Sequence, residues 1–100
     1  MSKNIVVFIK VNQENFKEFG SLLSKLREMT LAEEGCERFD TYIVGDEYVL
    51  IERWESQESI DLHMEFNYTV DFINNTEIMI KETRVFRLED IENVEALPSI

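Results

Sequence analysis

Residues 36–54 read CERFDTYIVGDEYVLIERW, and this stretch decides the fold. Two β-branched and aromatic runs, Cys36–Val44 and Tyr48–Trp54, flank the turn pair Gly45-Asp46, a pattern that predicts a β-hairpin. Side chains alternate between the faces of a strand. With a two-residue loop, Phe39, Thr41, Ile43, Tyr48, Leu50, Glu52 and Trp54 share one face. Arg38, Asp40, Tyr42, Val49, Ile51 and Arg53 share the other. Arg38 and Arg53 then stand directly opposite each other, a repulsive pair unless Asp40 or Glu55 interleaves. A bulge would alter this pairing.

Upstream, Ile5–Val11 is apolar except for Lys10 and reads as a strand buried on both faces. Asn12 is placed to cap a helix starting at Gln13. Phe16, Phe19, Leu22, Leu23, Leu26 and Met29 then recur at helical spacing to about Ala32. Gly35 suits the left-handed turn that ends it. Gly20 inside this helix costs about 1 kcal/mol against alanine, and close packing is its expected reason. Downstream, Ser56 suits the N-cap of a second helix carrying Ile60, His63 or Met64, and Phe66. A short helical piece follows at Tyr68–Ile73, Asn74-Asn75 reads as a turn, and Thr76–Leu88 reads as a fourth strand. Met29, Met64 and Met79 are expected to fill the core.

The order is βαββαβ, the α+β ferredoxin-like arrangement: an antiparallel sheet with its helices on one face. The other face should alternate with polar residues. Here it does not. Whichever phase the first strand takes, it sets Val6 and Phe8, or Ile5, Val7 and Ile9, on the open side, and the hairpin adds Tyr42, Val49 and Ile51. Burying each such side chain is worth roughly 1.5–3 kcal/mol. A homodimer in which two sheets face each other is therefore expected, giving a dimeric α+β barrel.

Composition bounds the partners. The 100 residues are 44% hydrophobic and carry a formal charge of −11, which is too apolar for disorder. They read as one domain over residues 1–100, with its core at about 4–88 and an acidic tail at 89–100. Net negative charge disfavours nucleic acid and anionic membrane, and no apolar run is long enough to span a bilayer. Met1–Asn4 lead straight into a strand-like run and not into a signal peptide. With a single cysteine there is no internal disulfide, and a cytoplasmic location is the expectation.

Two residues stand out chemically. Glu52 lies between Leu50 and Trp54 on an otherwise apolar strand face, where burial raises a carboxyl pKa toward neutrality. His63 is the sole histidine and titrates near neutral pH unaided. It lies on the helix that can fold back over that strand. A Glu–His pair over a pocket could remove a proton from a phenol or quinol, with Trp54 stacking on a planar ligand. The structural alternative stays open: Glu52 paired with Arg38, Arg53 or Arg84, and His63 as a surface or capping residue. Cys36 reads as a small buried hydrophobe. The glutamates at 33–34 and the acidic run at 89–95 read as solvated faces. One histidine and one cysteine without spaced partners make no metal site.

Glu33-Glu34-Gly35-Cys36-Glu37-Arg38-Phe39 resembles the pattern E-P-G-C-x-x-F/Y. Tyr48–Ser56, followed by His63 nine residues after Trp54, resembles Y/F-x-L-x-E-x-W-x-S/T…H. Both belong to the antibiotic biosynthesis monooxygenase family, and the resemblance covers about residues 4–88. It implies a ferredoxin-like dimer with a ligand pocket between each subunit's sheet and its helices. Members include quinol and aromatic-polyketide monooxygenases that use no metal or flavin; others degrade haem or isomerise a phosphorylated sugar. The resemblance implies Glu52 and His63 as proton-handling residues, no cofactor, and a small hydrophobic or aromatic ligand. The residues expected around that ligand are Trp54, Tyr68, Tyr42, Leu50, Ile60 and Phe72.

The sequence also departs from its relatives. Leu50 and Ile60 stand where the polyketide enzymes have an asparagine and a tyrosine. Ile73 stands near where the haem-degrading members have their axial histidine. Tyr68 stands where many relatives have a second histidine. The expected function is thus a cofactor-independent monooxygenase of a quinol-like or phenolic small molecule. The alternatives are a non-catalytic ligand-binding dimer and a small sugar or dicarbonyl isomerase, the latter drawing its charge from Arg84 or Arg87.

Overall fold

The structure is a computed structural model that describes residues 1–92. Its strands are β1 (Lys3–Val11), β2 (Cys36–Val44), β3 (Glu47–Trp54) and β4 (Ile80–Leu88). Its helices are α1 (Phe16–Leu31), α2 (Gln57–Glu65) and α3 (Asn67–Thr76). The sheet order is β2-β3-β1-β4 with every neighbouring pair antiparallel, which is the ferredoxin-like topology.

The hairpin register matches the alternation in the sequence: Phe39 faces Glu52, Thr41 faces Leu50 and Ile43 faces Tyr48. Gly45 takes the positive φ that the turn needs. Arg38 does stand opposite Arg53, and each finds its own carboxylate. Arg38 pairs with Asp40, and Arg53 pairs with Glu37 at 3.2 Å. Glu37 is available because the ladder shifts between Cys36 and Arg38, so that Cys36 faces Trp54 and Glu37 is the extra residue of a bulge.

On the helix-facing side, Ile5, Val7, Ile9 and Val11 of β1 join Phe39, Tyr48, Leu50 and Trp54 of the hairpin. Phe19, Leu23 and Leu26 of α1, Ile60 of α2 and Met79 pack onto them. The other side keeps Val6, Phe8, Val49 and Ile51 only half-buried, while Tyr42, Val44, Phe86 and Leu88 are exposed. Phe86 packs edge-on against Phe8, and the Arg84 guanidinium lies 4.8 Å over the Phe8 ring.

Several local expectations are corrected. Gln13–Asn15 form a 3-10 turn, and α1 begins at Phe16. Asn12 makes no side-chain cap; its amide donates instead to the Ile78 carbonyl at 3.2 Å, tying the start of α1 to the approach to β4. Asn74-Asn75 do not turn the chain: α3 runs on to Thr76, whose hydroxyl donates to the Phe72 carbonyl. A second 3-10 turn, Glu77–Met79, follows, and β4 starts at Ile80 and not at Thr76. Met79 is core, but Met29 and Met64 are exposed. Residues 89–92 are exposed, whereas the rest of the acidic tail, 93–100, lies outside the described residues. No helix among the described residues is long and apolar enough to cross a membrane.

Candidate functional site

The site is built where the start of β2, the end of β3 and the middle of α2 meet. Gly35, in a left-handed conformation at φ +91°, turns the chain from α1 into β2, and its carbonyl accepts from the Glu55 amide at 2.8 Å. That bond, with the Cys36–Trp54 pairing, fixes the α1–β2 corner against the start of α2. Ser56 caps α2 by accepting from the Ser59 amide. Two turns along, α2 sets His63 over the sheet, 94% buried overall. Its ring lies 4.8 Å from that of Trp54, which is fully buried, and 6.2 Å from that of Phe39.

His63 does not bond to Glu52. Its Nδ1 lies 2.8 Å from Glu33 Oε2, and both side chains are buried. The Tyr68 hydroxyl donates to the same Glu33 oxygen. Glu33 is therefore no solvated residue, which corrects that expectation. The signal for it was present: a glutamate at the C-terminal end of a helix opposes the negative pole of the helix dipole, and such local conflicts concentrate at functional sites.

Glu52 sits on the sheet itself and is half-buried. Its carboxylate accepts from the Trp54 indole N–H at 2.9 Å. Burial raises its pKa; the indole hydrogen bond and the nearby His63 oppose that rise. None of the expected arginine partners holds it. Arg38 and Arg53 pair on the other face, and Arg84 pairs with Glu47 at 2.9 Å. Burial together with Glu33 also raises the Tyr68 hydroxyl pKa and pushes the Cys36 thiol up to about 11. Tyr68 is thus a hydrogen-bond donor and Cys36 an inert thiol at neutral pH.

Of the residues expected around a ligand, Leu50, Trp54 and Ile60 are buried on the helix-facing side. Tyr68 and Phe72 are half-buried against the same core, Phe72 edge-on to Phe19 at 5.6 Å. Tyr68 and Phe72 join Leu22, Leu26 and Met29 in walling a cleft of about 230 Å³ between α1 and α3. Tyr42 does not join them. It lies on the opposite face, by the alternation that puts Phe39 and Thr41 inward, and it borders a separate groove at the β2 edge. Arg87, in register with Ile5, borders a third cavity with Lys3 and Arg53.

The fold is thus a ferredoxin-like α+β sheet whose helices cover a buried glutamate–histidine–tyrosine cluster. Residues 4–74 match the antibiotic biosynthesis monooxygenase family, and the chain belongs to that family. No curated protein matches the chain. Among solved structures, a candidate monooxygenase from Fusobacterium nucleatum superposes with a TM-score of 0.84 at 25% identity. The match covers 88% of this chain and 42% of that one, so this chain spans less than half its length. A protein from Mycobacterium tuberculosis gives 0.85 at 22% identity, covering 90% of this chain and 95% of its own. A candidate antibiotic biosynthesis monooxygenase from Nitrosomonas europaea gives 0.84 at 16%, covering 90% of each chain. The last two bear on the fold alone.

Proposed function

We propose that this chain is a cofactor-independent monooxygenase of a small quinol-like or phenolic compound, working as a homodimer joined through the open sheet face. The observation that carries the reading is the buried His63, held at Nδ1 by Glu33 while its Nε2 makes no hydrogen bond among the described residues. A histidine oriented in this way presents a lone pair that can serve as a general base. Glu52, with its raised pKa, is the second proton-handling group, and the Trp54 ring packs 4.8 Å from that of His63. Loss of a hydroquinone's phenolic proton to His63 gives an electron-rich anion that reacts with oxygen directly. One oxygen atom ends on the ring and the other leaves as water. Hydroxylation and oxidation to the quinone supply all four electrons, so the balance requires no further reductant.

The cleft walled by Tyr68 and Phe72, at about 230 Å³, falls below the roughly 300–1,000 Å³ of drug-sized pockets. That favours a one- or two-ring ligand over a fused polyketide or a haem. The expected location is the cytoplasm. Menadiol oxidation under air tests the reading, with uptake of labelled oxygen into the product and an enzyme-free blank for autoxidation. The Glu52→Gln/His63→Ala double variant should fall to the blank. Equal rates for wild type and variant would remove the proposal.

A second reading has one observation behind it. Leu50 and Ile60 are buried and apolar and offer no hydrogen bond to a bound ring. A non-catalytic ligand-binding dimer would show a raised melting temperature with an aromatic ligand and no turnover.

A further inference from the structure

We propose that Glu33 is the positioning residue of this site: its carboxylate selects the tautomer of His63 and so makes Nε2 the basic nitrogen. The inference rests on the reading of His63 as the base, but its test does not depend on turnover. Three features carry it. First, Glu33 Oε2 is the meeting point of two groups, the His63 ring at 2.8 Å and the Tyr68 hydroxyl. The Tyr68 hydroxyl donates to this oxygen, and Glu33 as an ionised carboxylate is an acceptor only. His63 must then carry its proton on Nδ1 and leave a lone pair on Nε2. Second, both side chains are more than nine-tenths buried, so water does not compete for the bond. Third, the placement is fixed by the backbone. Glu33 stands just before the Gly35 turn, whose carbonyl is bonded to the Glu55 amide, and His63 is two turns along the helix that starts after Glu55.

The proton taken by Nε2 turns the ring into an imidazolium beside the Glu33 carboxylate, which stabilises that charge where it forms. Tyr68 holds Glu33 from its other side and is itself on the wall of the α1–α3 cleft. Glu33 touches neither cleft nor substrate and acts through His63.

Because His63 is the sole histidine, nitrogen NMR of histidine-labelled protein reports it alone. At about pH 9 a histidine is neutral, and the wild type should show a protonated Nδ1 and an unprotonated Nε2. In Glu33→Leu no acceptor faces Nδ1, so the preference for the Nδ1-protonated ring should be lost and the Nε2-protonated ring should appear. Tyr68→Phe should leave the wild-type tautomer in place. Menadiol oxidation should fall by about 10²–10⁴-fold in Glu33→Leu, the usual worth of a general base, and recover in part in Glu33→Asp. A wild type already protonated on Nε2 would overturn the proposal without any variant, as would a folded Glu33→Leu with the wild-type tautomer. A tautomer that switches in a protein that never oxidises quinols would leave Glu33 in this role and remove the monooxygenase reading instead.

Discussion

The hydroxyl of Tyr48 occupies the space beside Gly20 that any larger side chain would need. The tyrosine cannot easily withdraw. Its hydroxyl donates to the Phe16 carbonyl at 2.6 Å, and its ring stacks on Phe16 at 4.5 Å and against Phe19 at 5.1 Å. Gly20→Ala should therefore be a rare mid-helix glycine replacement that destabilises. The helix gains about 1 kcal/mol in propensity but pays an overpacking cost of roughly 1–3 kcal/mol. Urea unfolding should place the variant below wild type, and the penalty should shrink when Tyr48→Phe removes the obstructing oxygen. A stabilised single variant would show that Tyr48 yields.

Glu52 gives stability a pH dependence whose sign follows from burial. Its folded pKa is raised, so the folded chain keeps the proton to higher pH than the unfolded chain does. The stability this group contributes is complete below the ordinary carboxylate range and is lost as pH rises through the raised folded value. Glu52→Gln keeps an acceptor for the Trp54 N–H and has no charge to desolvate. Denaturation across pH 4–8 should find the variant close to wild type in acid and increasingly more stable toward neutrality. Parallel curves would mean that the carboxylate is not desolvated.

How much of this was legible in the sequence depends on range. The hairpin register and its opposed arginines were readable because strand alternation and a two-residue turn fix partners locally. Gly35 was readable because only glycine takes its conformation cheaply. Asn74-Asn75 misled because packing of Phe72 and Thr76 on the core overrides a turn preference. Tyr42 was readable too, since alternation already set it on the open face away from the helices; Glu33 was misplaced for a different reason. Whether a polar residue is buried depends on which distant helix lands on it, and for Glu33 the decisive group, His63, is thirty residues away. The bulge at Glu37 has no signature in residue type.

The open sheet face makes a testable claim about assembly. Ile51 lies at its centre, in register with Val6 and Asp40, and is half-buried within one protomer. Ile51→Glu would put a carboxylate on the contact, and in a symmetric pair each copy brings one. Wild type should sediment at twice the 11.9 kDa chain mass at micromolar concentration and Ile51→Glu at the single mass, with its circular dichroism unchanged. A monomeric wild type would remove the dimer.

Cys36 offers a probe of the site that requires no substrate. Its thiol is pushed from 9.0 up to about 11, first by burial and next by Glu33, against a hydrogen bond to the Arg38 carbonyl. The thiolate is the reactive form, so near pH 8 the folded protein should hold about a hundredfold less of it than an ordinary cysteine. Iodoacetamide labelling should be correspondingly slow and should accelerate as pH rises beyond 10. Glu33→Gln removes one of the charges that suppress ionisation and should speed labelling, whereas Glu28→Gln, on the exposed side of α1, should not. If Glu33→Gln labels no faster than wild type in a protein that still resists denaturant equally, burial alone holds the thiol down and Glu33 carries no charge that Cys36 can sense.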